Sequence, residues 1–267
     1  LMEESFVVNI VFVSSLFVLG WMLFSFIEYG YALFYKKPLY VHFYFKLRKL
    51  PVNLLNQLQL RCSFYKGLNQ RDQLYFEHRV VCFLRKYTFT SRNQAIIDDE
   101  LRILISSAYV MITFGMRRYL LNSFKTILIH PDSYFSAQES QLHNGEFNPK
   151  YKAVVFSRKA LIQGFENDSD NLNLAIHEFA HVLTYSTMKA RDVGSSIFSD
   201  QYQKIIQKIK RFDAAEELRN STYFRSYAFA NQYEFVAVIL EHYFETPEEF
   251  KVEFPELYKD VRLMINQ

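Results

Sequence analysis

The chain is poor in cysteine, glycine and proline, with 2, 7 and 6 among 267 residues. Cys62 and Cys82 stand without a C-x-x-C motif or a Cys/His cluster, which leaves no disulfide framework. In a cytoplasmic domain both are expected as free thiols. There is no Gly-rich phosphate loop, internal repeat or low-complexity tract. Charge is also missing from two stretches: residues 5–27 carry none of either sign, and residues 29–71 contain no acid.

The first of these gaps is long enough to cross a bilayer as a helix, and residues 1–28 are read as a transmembrane anchor. A cleaved signal peptide fits less well, because Glu3 and Glu4 precede the run, the run exceeds an h-region, and no small-x-small site follows. A core helix is the remaining alternative.

The second gap holds Lys36, Lys37, Lys46, Arg48, Lys49, Arg61, Lys66 and Arg71. That basic excess next to the span places it, with everything downstream, on the cytoplasmic side of a single-pass membrane protein. Interleaved Tyr29, Tyr31, Phe34, Tyr35, Tyr40, Phe43, Tyr44 and Phe45 suit a segment at headgroup level, so residues 29–64 are read as a basic aromatic juxtamembrane segment in contact with lipid. The net charge is +3, but residues 72–267 alone sum to −2. A slightly acidic body is a poor partner for a phosphate backbone, so nucleic acid is excluded as a ligand.

What is abundant is apolar and aromatic side chain: 50% hydrophobic, with 19 Tyr and 27 Phe, enough for a large core and against disorder. Helical periodicity runs through residues 73–87 and 96–114, the latter with Asp98, Asp99 and Glu100 in its first turn. Residues 124–129 and 152–156 read as short strands, separated by a polar loop over 131–149. A helix is expected up to about residue 189, capped from within 167–170. Residues 195–225 read as helix plus loop, and 231–243 as a second apolar helix. Thr246-Pro247-Glu248-Glu249 reads as a capping box with Pro at N1, and Pro255 starts a further helix. The fold class is α+β, mainly helical with a small sheet.

Within the helix ending near 189 lie His177, Glu178 and His181, the pattern H-E-x-x-H. Side chains four apart share a helix face, so the two imidazoles can meet one ion, while Glu178 is turned aside, within reach of a proton from a water that the ion activates. Two inert core histidines are the plain alternative. With 7 His in the chain the pattern arises by chance in about one such chain in a hundred. A catalytic zinc site takes a third protein ligand. Glu234, Glu241 and His242 are candidates, and helix geometry leaves the two acids open because seven residues return nearly to the same face.

The stretches Asn173-Leu-Ala-Ile-His-Glu-Phe-Ala-His-Val-Leu183, Tyr227-Ala-Phe-Ala-Asn-Gln-Tyr-Glu-Phe-Val-Ala-Val238 and Tyr243-Phe-Glu-Thr-Pro-Glu-Glu-Phe250 resemble the MtfA-like zinc metallopeptidases, over about residues 65–267. The resemblance implies a gluzincin-like zincin domain over 65–267. It implies one Zn2+ held by His177, His181 and Glu234, with Glu178 as general base and Tyr227 as donor to the oxyanion. The implied activity is peptide-bond hydrolysis, leaning towards an aminopeptidase, with a peptide or protein as substrate. The strand at 152–156 is expected to offer the edge that pairs with substrate. The competing class is a membrane-anchored binding or regulatory module on an inactive peptidase fold. It predicts a lost ligand or base, and all four residues are present.

Overall fold

The computed structural model describes residues 2–136, 141–167, 169–211, 216, 218 and 220–267, with backbone only for 2–5, 7, 8, 136 and 141. The side chains of Glu3 and Glu4, which bear on the orientation of the span, therefore lie outside the described part, as does Asp168 of the expected capping stretch. The helices are α1 (Met2–Tyr35), α2 (Val52–Arg61), α3 (Ser63–Gly67), α4 (Gln70–Lys86), α5 (Asp99–Thr113), α6 (Arg158–Glu166), α7 (Leu174–Thr187) and α8 (Val193–Lys210). They are followed by a 3-10 turn (Ser226–Phe229), α9 (Gln232–Glu245), α10 (Pro247–Glu253) and α11 (Pro255–Met264). The strands are β1 (Thr88–Ser91), β2 (Thr126–His130), β3 (Tyr134–Ser136), β4 (Gln141–His143), β5 (Gly145–Asn148) and β6 (Ala153–Ser157).

Helix α1 contains a segment, Asn9–Tyr35, long and apolar enough to cross a membrane, and no residue of its most apolar window is buried. It is therefore not a core helix. The boundary expected at residue 28 falls inside α1. Glu28 is buried and ion-paired to Arg117, so the helix continues unbroken until Lys36 takes a left-handed φ of 53°. The lower end of α1 rests on α8 through Ala32, Val193 and Ile197.

The boundary expected at 65 falls inside α3. Leu50, Leu58 and Cys62 belong to the main core, and α2 lies against α5. Part of the basic aromatic segment is thus body. His42 stacks on Tyr75 at 4.8 Å, and Arg79 Nε donates to the Tyr44 hydroxyl at 2.6 Å.

The main sheet has the order β1-β2-β6-β5, with β1, β2 and β6 parallel and β5 antiparallel to β6. This corrects the reading of 152–156 as the substrate edge: β6 lies inside the sheet with all five residues buried, and the free edge beside α7 is β5. The polar loop at 131–149 is corrected too, since it holds the β3–β4 hairpin and β5; its residues 137–140 lie outside the described part.

Helix α7 is held between α5, α9 and the sheet. Its apolar positions Ala175, Ile176, Phe179, Val182 and Leu183 recur at helical spacing and are buried. Phe179 enters an aromatic nest of Phe83, Tyr109, Phe124 and Phe156, with centroids 5.1–6.2 Å away. Burying that one ring stabilises the fold by about 1.5–3 kcal/mol and fixes the rotation of α7, so that His177 and His181 face the other way.

The cap of α7 is Asn173, not a residue of 167–170. Its Oδ1 accepts from the Ile176 N–H and its Nδ2 donates to the Gly164 carbonyl, while Asn167 and Asp170 make local turns. Nor does Thr246 close a capping box. Pro247 stands at N1, but the Thr246 hydroxyl donates to Asn171 Oδ1 instead of capping its own helix.

Candidate metal centre

Helix α9 is capped by Asn231, whose Oδ1 accepts from the Tyr233 and Glu234 N–H groups and so fixes the first turn. That turn faces α7. The carboxylate of Glu234 lies 2.9 Å from His177 Nε2 and 3.5 Å from His181 Nε2, and the two Nε2 atoms are 3.2 Å apart. His177, His181 and Glu234 thereby form a group able to hold a metal ion.

The donor set fits zinc. Tetrahedral bonds of about 2.0–2.1 Å hold two ligand atoms about 3.3 Å apart. His177 Nε2 stands close to that value from both partners, 3.2 Å from His181 Nε2 and 2.9 Å from Glu234 Oε2. Two imidazole nitrogens aimed at each other share at most one proton, whereas a common cation satisfies both. The local field favours a cation as well. Burial opposes charge on His177, yet hydrogen bonds to Glu234 and Glu241 outweigh it and hold the imidazole up to about 10. Burial would raise Glu234, but hydrogen bonds with the same two histidines outweigh it and keep that carboxyl well below the usual range.

Glu241, the rival acid, meets the same imidazole from behind. Its Oε1 lies 3.1 Å from His177 Nδ1, and its Oε2 lies 2.6 Å from Arg225 Nη2. Arg225 Nη1 donates to the Asn171 carbonyl at 2.6 Å. His242 is not at the centre: it packs on Tyr223 and Phe224, and burial together with the Arg225 charge lowers it to about 4.

Glu178 is buried on the β5 side of α7. Burial dominates and raises its carboxyl above the ordinary value, against the pull of both histidines and a hydrogen bond from the Phe147 backbone. The close approach depends on Gly145, where an added Cβ would lie 2.7 Å from Glu178 Oε1 and 2.7 Å from Leu174 Cδ1. Tyr227 is half exposed, its ring 6.1 Å from that of His177. Burial and the charge of Glu234 push its hydroxyl up to about 12, so it keeps its proton at neutral pH.

These groups share a cleft of about 560 Å³, lined by His177, Glu178, Tyr227, Arg225, Gly145 and Asn144, among others. Sequence reading gave no role to Arg225, Gly145 or Asn173, although Gly145 and Asn173 lie in stretches that carry the family resemblance and Asn173 stands just before an apolar helical run, a local cap signal.

A protein-family model described as glucose-regulated metallo-peptidase M90 matches residues 42–265. An uncharacterized protein of Synechocystis sp. is 25% identical over 239 residues, covering 80% of this chain and 84% of that relative.

Proposed function

The chain belongs to the glucose-regulated metallo-peptidase M90 family, and from that premise we propose that it is a zinc-dependent peptidase held in a membrane by α1. Family membership carries a metallopeptidase with a metal ion and a peptide substrate. The finer reading rests chiefly on one observation: two ring nitrogens and a carboxylate from α7 and α9 converge within 3.5 Å beside a buried glutamate.

In this reading His177, His181 and Glu234 hold one Zn2+. A bound zinc ion supplies Lewis-acid polarisation of the scissile carbonyl and acidifies an attacking water. Glu178 accepts the proton of that water and delivers it to the leaving amine, a role helped by a carboxyl more basic than usual. The Tyr227 hydroxyl, protonated at neutral pH, donates to the oxygen that gains charge. An extended substrate adds to the free edge of β5, which brings its backbone alongside Glu178. An aminopeptidase preference is carried by the resemblance to MtfA-like enzymes alone; it is tested by comparing unblocked with N-acetylated peptides.

For the membrane, the support is the exposed apolar surface of α1 and the run of Lys and Arg that follows it. The proposed orientation puts the catalytic body in the cytoplasm at the inner membrane face. A reporter fused at Asn266 that reads extracytoplasmic overturns it.

The central test uses the full chain in detergent. About one zinc per chain is expected. Glu178→Gln should keep the zinc and lose about 10²- to 10⁴-fold in kcat. Glu234→Gln should lose zinc and recover partly when zinc is added. A folded chain that takes up no stoichiometric zinc sinks the proposal.

A further inference from the structure

We propose that a second cavity, at the far end of α7 from the metal centre, is a substrate subsite for a carboxylate side chain located N-terminal to the cleaved bond. This rests on the peptidase reading above. The cavity measures about 280 Å³ and is lined in part by Arg118, Asn122, Ser123, Tyr185, Lys189 and Asp192.

Its chemistry is that of an anion site inside a body of net charge −2. Arg118 makes no hydrogen bond or ion pair among the described residues. Lys189 Nζ lies 4.0 Å from the Tyr185 ring centroid and donates one proton to the Tyr185 hydroxyl at 2.7 Å, which leaves two donors. Asn122 Oδ1 accepts from Lys86 Nζ at 2.6 Å, so its amide nitrogen is left to donate. The one acid in the lining, Asp192, caps α8: its Oδ1 takes the Ser195 N–H and its Oδ2 the Ser195 hydroxyl. Donors remain while the acceptors are engaged.

Tyr185 lines this cavity on the same helix as the metal centre. It stands one turn beyond His181, about 6 Å of helix rise. Its ring also packs edge-on against Phe147 of β5 at 5.5 Å. β5 runs from Gly145, against Glu178, to Phe147, against Tyr185. A peptide pairing antiparallel to that edge runs the opposite way, and its residues before the scissile bond lie at Tyr185. An extended chain advances about 3.3 Å per residue. The cavity therefore receives a side chain about two to four residues before the bond. Such an occupant exists only in substrates extended on the N-terminal side, so this subsite makes the cleft that of an endopeptidase with a preference for Glu or Asp there, in place of the aminopeptidase preference that the resemblance alone carries.

The test uses the full chain in detergent and N-acetylated decapeptides through which one Glu, or one Gln, is moved position by position, with cuts read by mass spectrometry. Glu two to four residues before the cut should raise kcat/KM about 5- to 10-fold over Gln, the scale expected of two partly exposed charge pairs. Arg118→Glu/Lys189→Glu should bring the ratio below one, and Arg118→Gln/Lys189→Gln close to one. Equal rates for Glu and Gln, or a ratio unmoved by these changes, overturn the subsite, as does cleavage confined to the first residue of unblocked peptides. Fluorescence anisotropy of labelled Glu and Gln decapeptides separates the two readings. If nothing is cleaved but Glu binds more tightly through Arg118 and Lys189, the peptidase reading fails and the subsite stands. If neither preference appears, the subsite falls by itself.

Discussion

Glu234 and Glu241 grip the two nitrogens of one imidazole: Glu234 lies 2.9 Å from His177 Nε2 and Glu241 3.1 Å from His177 Nδ1. Seven residues apart, they share a face of α9, but a rise of about 10 Å places them on opposite sides of the ring. A carboxylate behind a metal-ligating histidine fixes its tautomer and strengthens it as a donor. Glu241→Gln should therefore lower zinc affinity about 10- to 100-fold, less than Glu234→Gln, with the fold kept. Competition against a chromogenic chelator measures it, and an affinity equal to that of the unaltered chain refutes the role.

Gly145→Ala places a methyl group within 2.7 Å of the Glu178 carboxylate and of Leu174. Either β5 moves off α7 or the glutamate turns. The expectation is a loss of about tenfold or more in kcat with zinc content unchanged, since no ligand is touched. Zinc loss in parallel with activity would place the damage elsewhere.

Glu245 is largely buried, and burial first, then the nearby charges of Glu241 and Asp170, raise its carboxyl from 4.5 to about 8 against the pull of Asn173. The folded chain thus holds a proton that the unfolded chain releases at lower pH. The resulting stability is fully present below about pH 4.5 and is lost as pH rises through about 8. Glu245→Gln should abolish that loss and stabilise the protein at pH 8.5 by on the order of 1–3 kcal/mol. Urea midpoints of both proteins at pH 5.5 and 8.5 decide it: equal slopes with pH count against the buried carboxyl.

A chain begun at residue 38 should fold without α1, whereas one begun at residue 65 should not. The second loses Leu58 and Cys62 from the core, together with the hydrogen bond between Tyr44 and Arg79. Each buried apolar side chain contributes about 1.5–3 kcal/mol against a total of about 5–15. Comparing soluble yield and cooperative melting of the two chains measures this, and a cooperative transition from the shorter one refutes it.

The sequence displayed those parts of the site that share one helix. His177, Glu178 and His181 sit at offsets that the helical repeat alone brings together, and the apolar positions between them foretell the buried face. Helix geometry left the choice between Glu234 and Glu241 open and only the family resemblance named Glu234, because the choice turns on where α9 crosses α7, a tertiary fact. β3, β4 and β5 were hidden for a related reason. They are three or four residues long, and β5 is stabilised by pairing with β6 rather than by any pattern of its own. Arg225 lies in a stretch of weak periodicity, and only the folded chain shows that it meets Glu241.

The junction between α1 and the body gives the enzyme a post instead of a leash. Arg117 pairs with Glu28, donates to the Tyr40 carbonyl and lies 3.8 Å over the Tyr40 ring, so helix and body meet without a free linker. A flexible tether of n residues would let the cleft roam about 5–6 Å × √n from its root. Here that roaming radius collapses. With α1 in a bilayer as proposed, the cleft travels in a plane at one standing height, and a protein is cut only where its exposed segment crosses that plane. Lengthening the junction with Gly-Ser residues would widen the harvest without changing the blade.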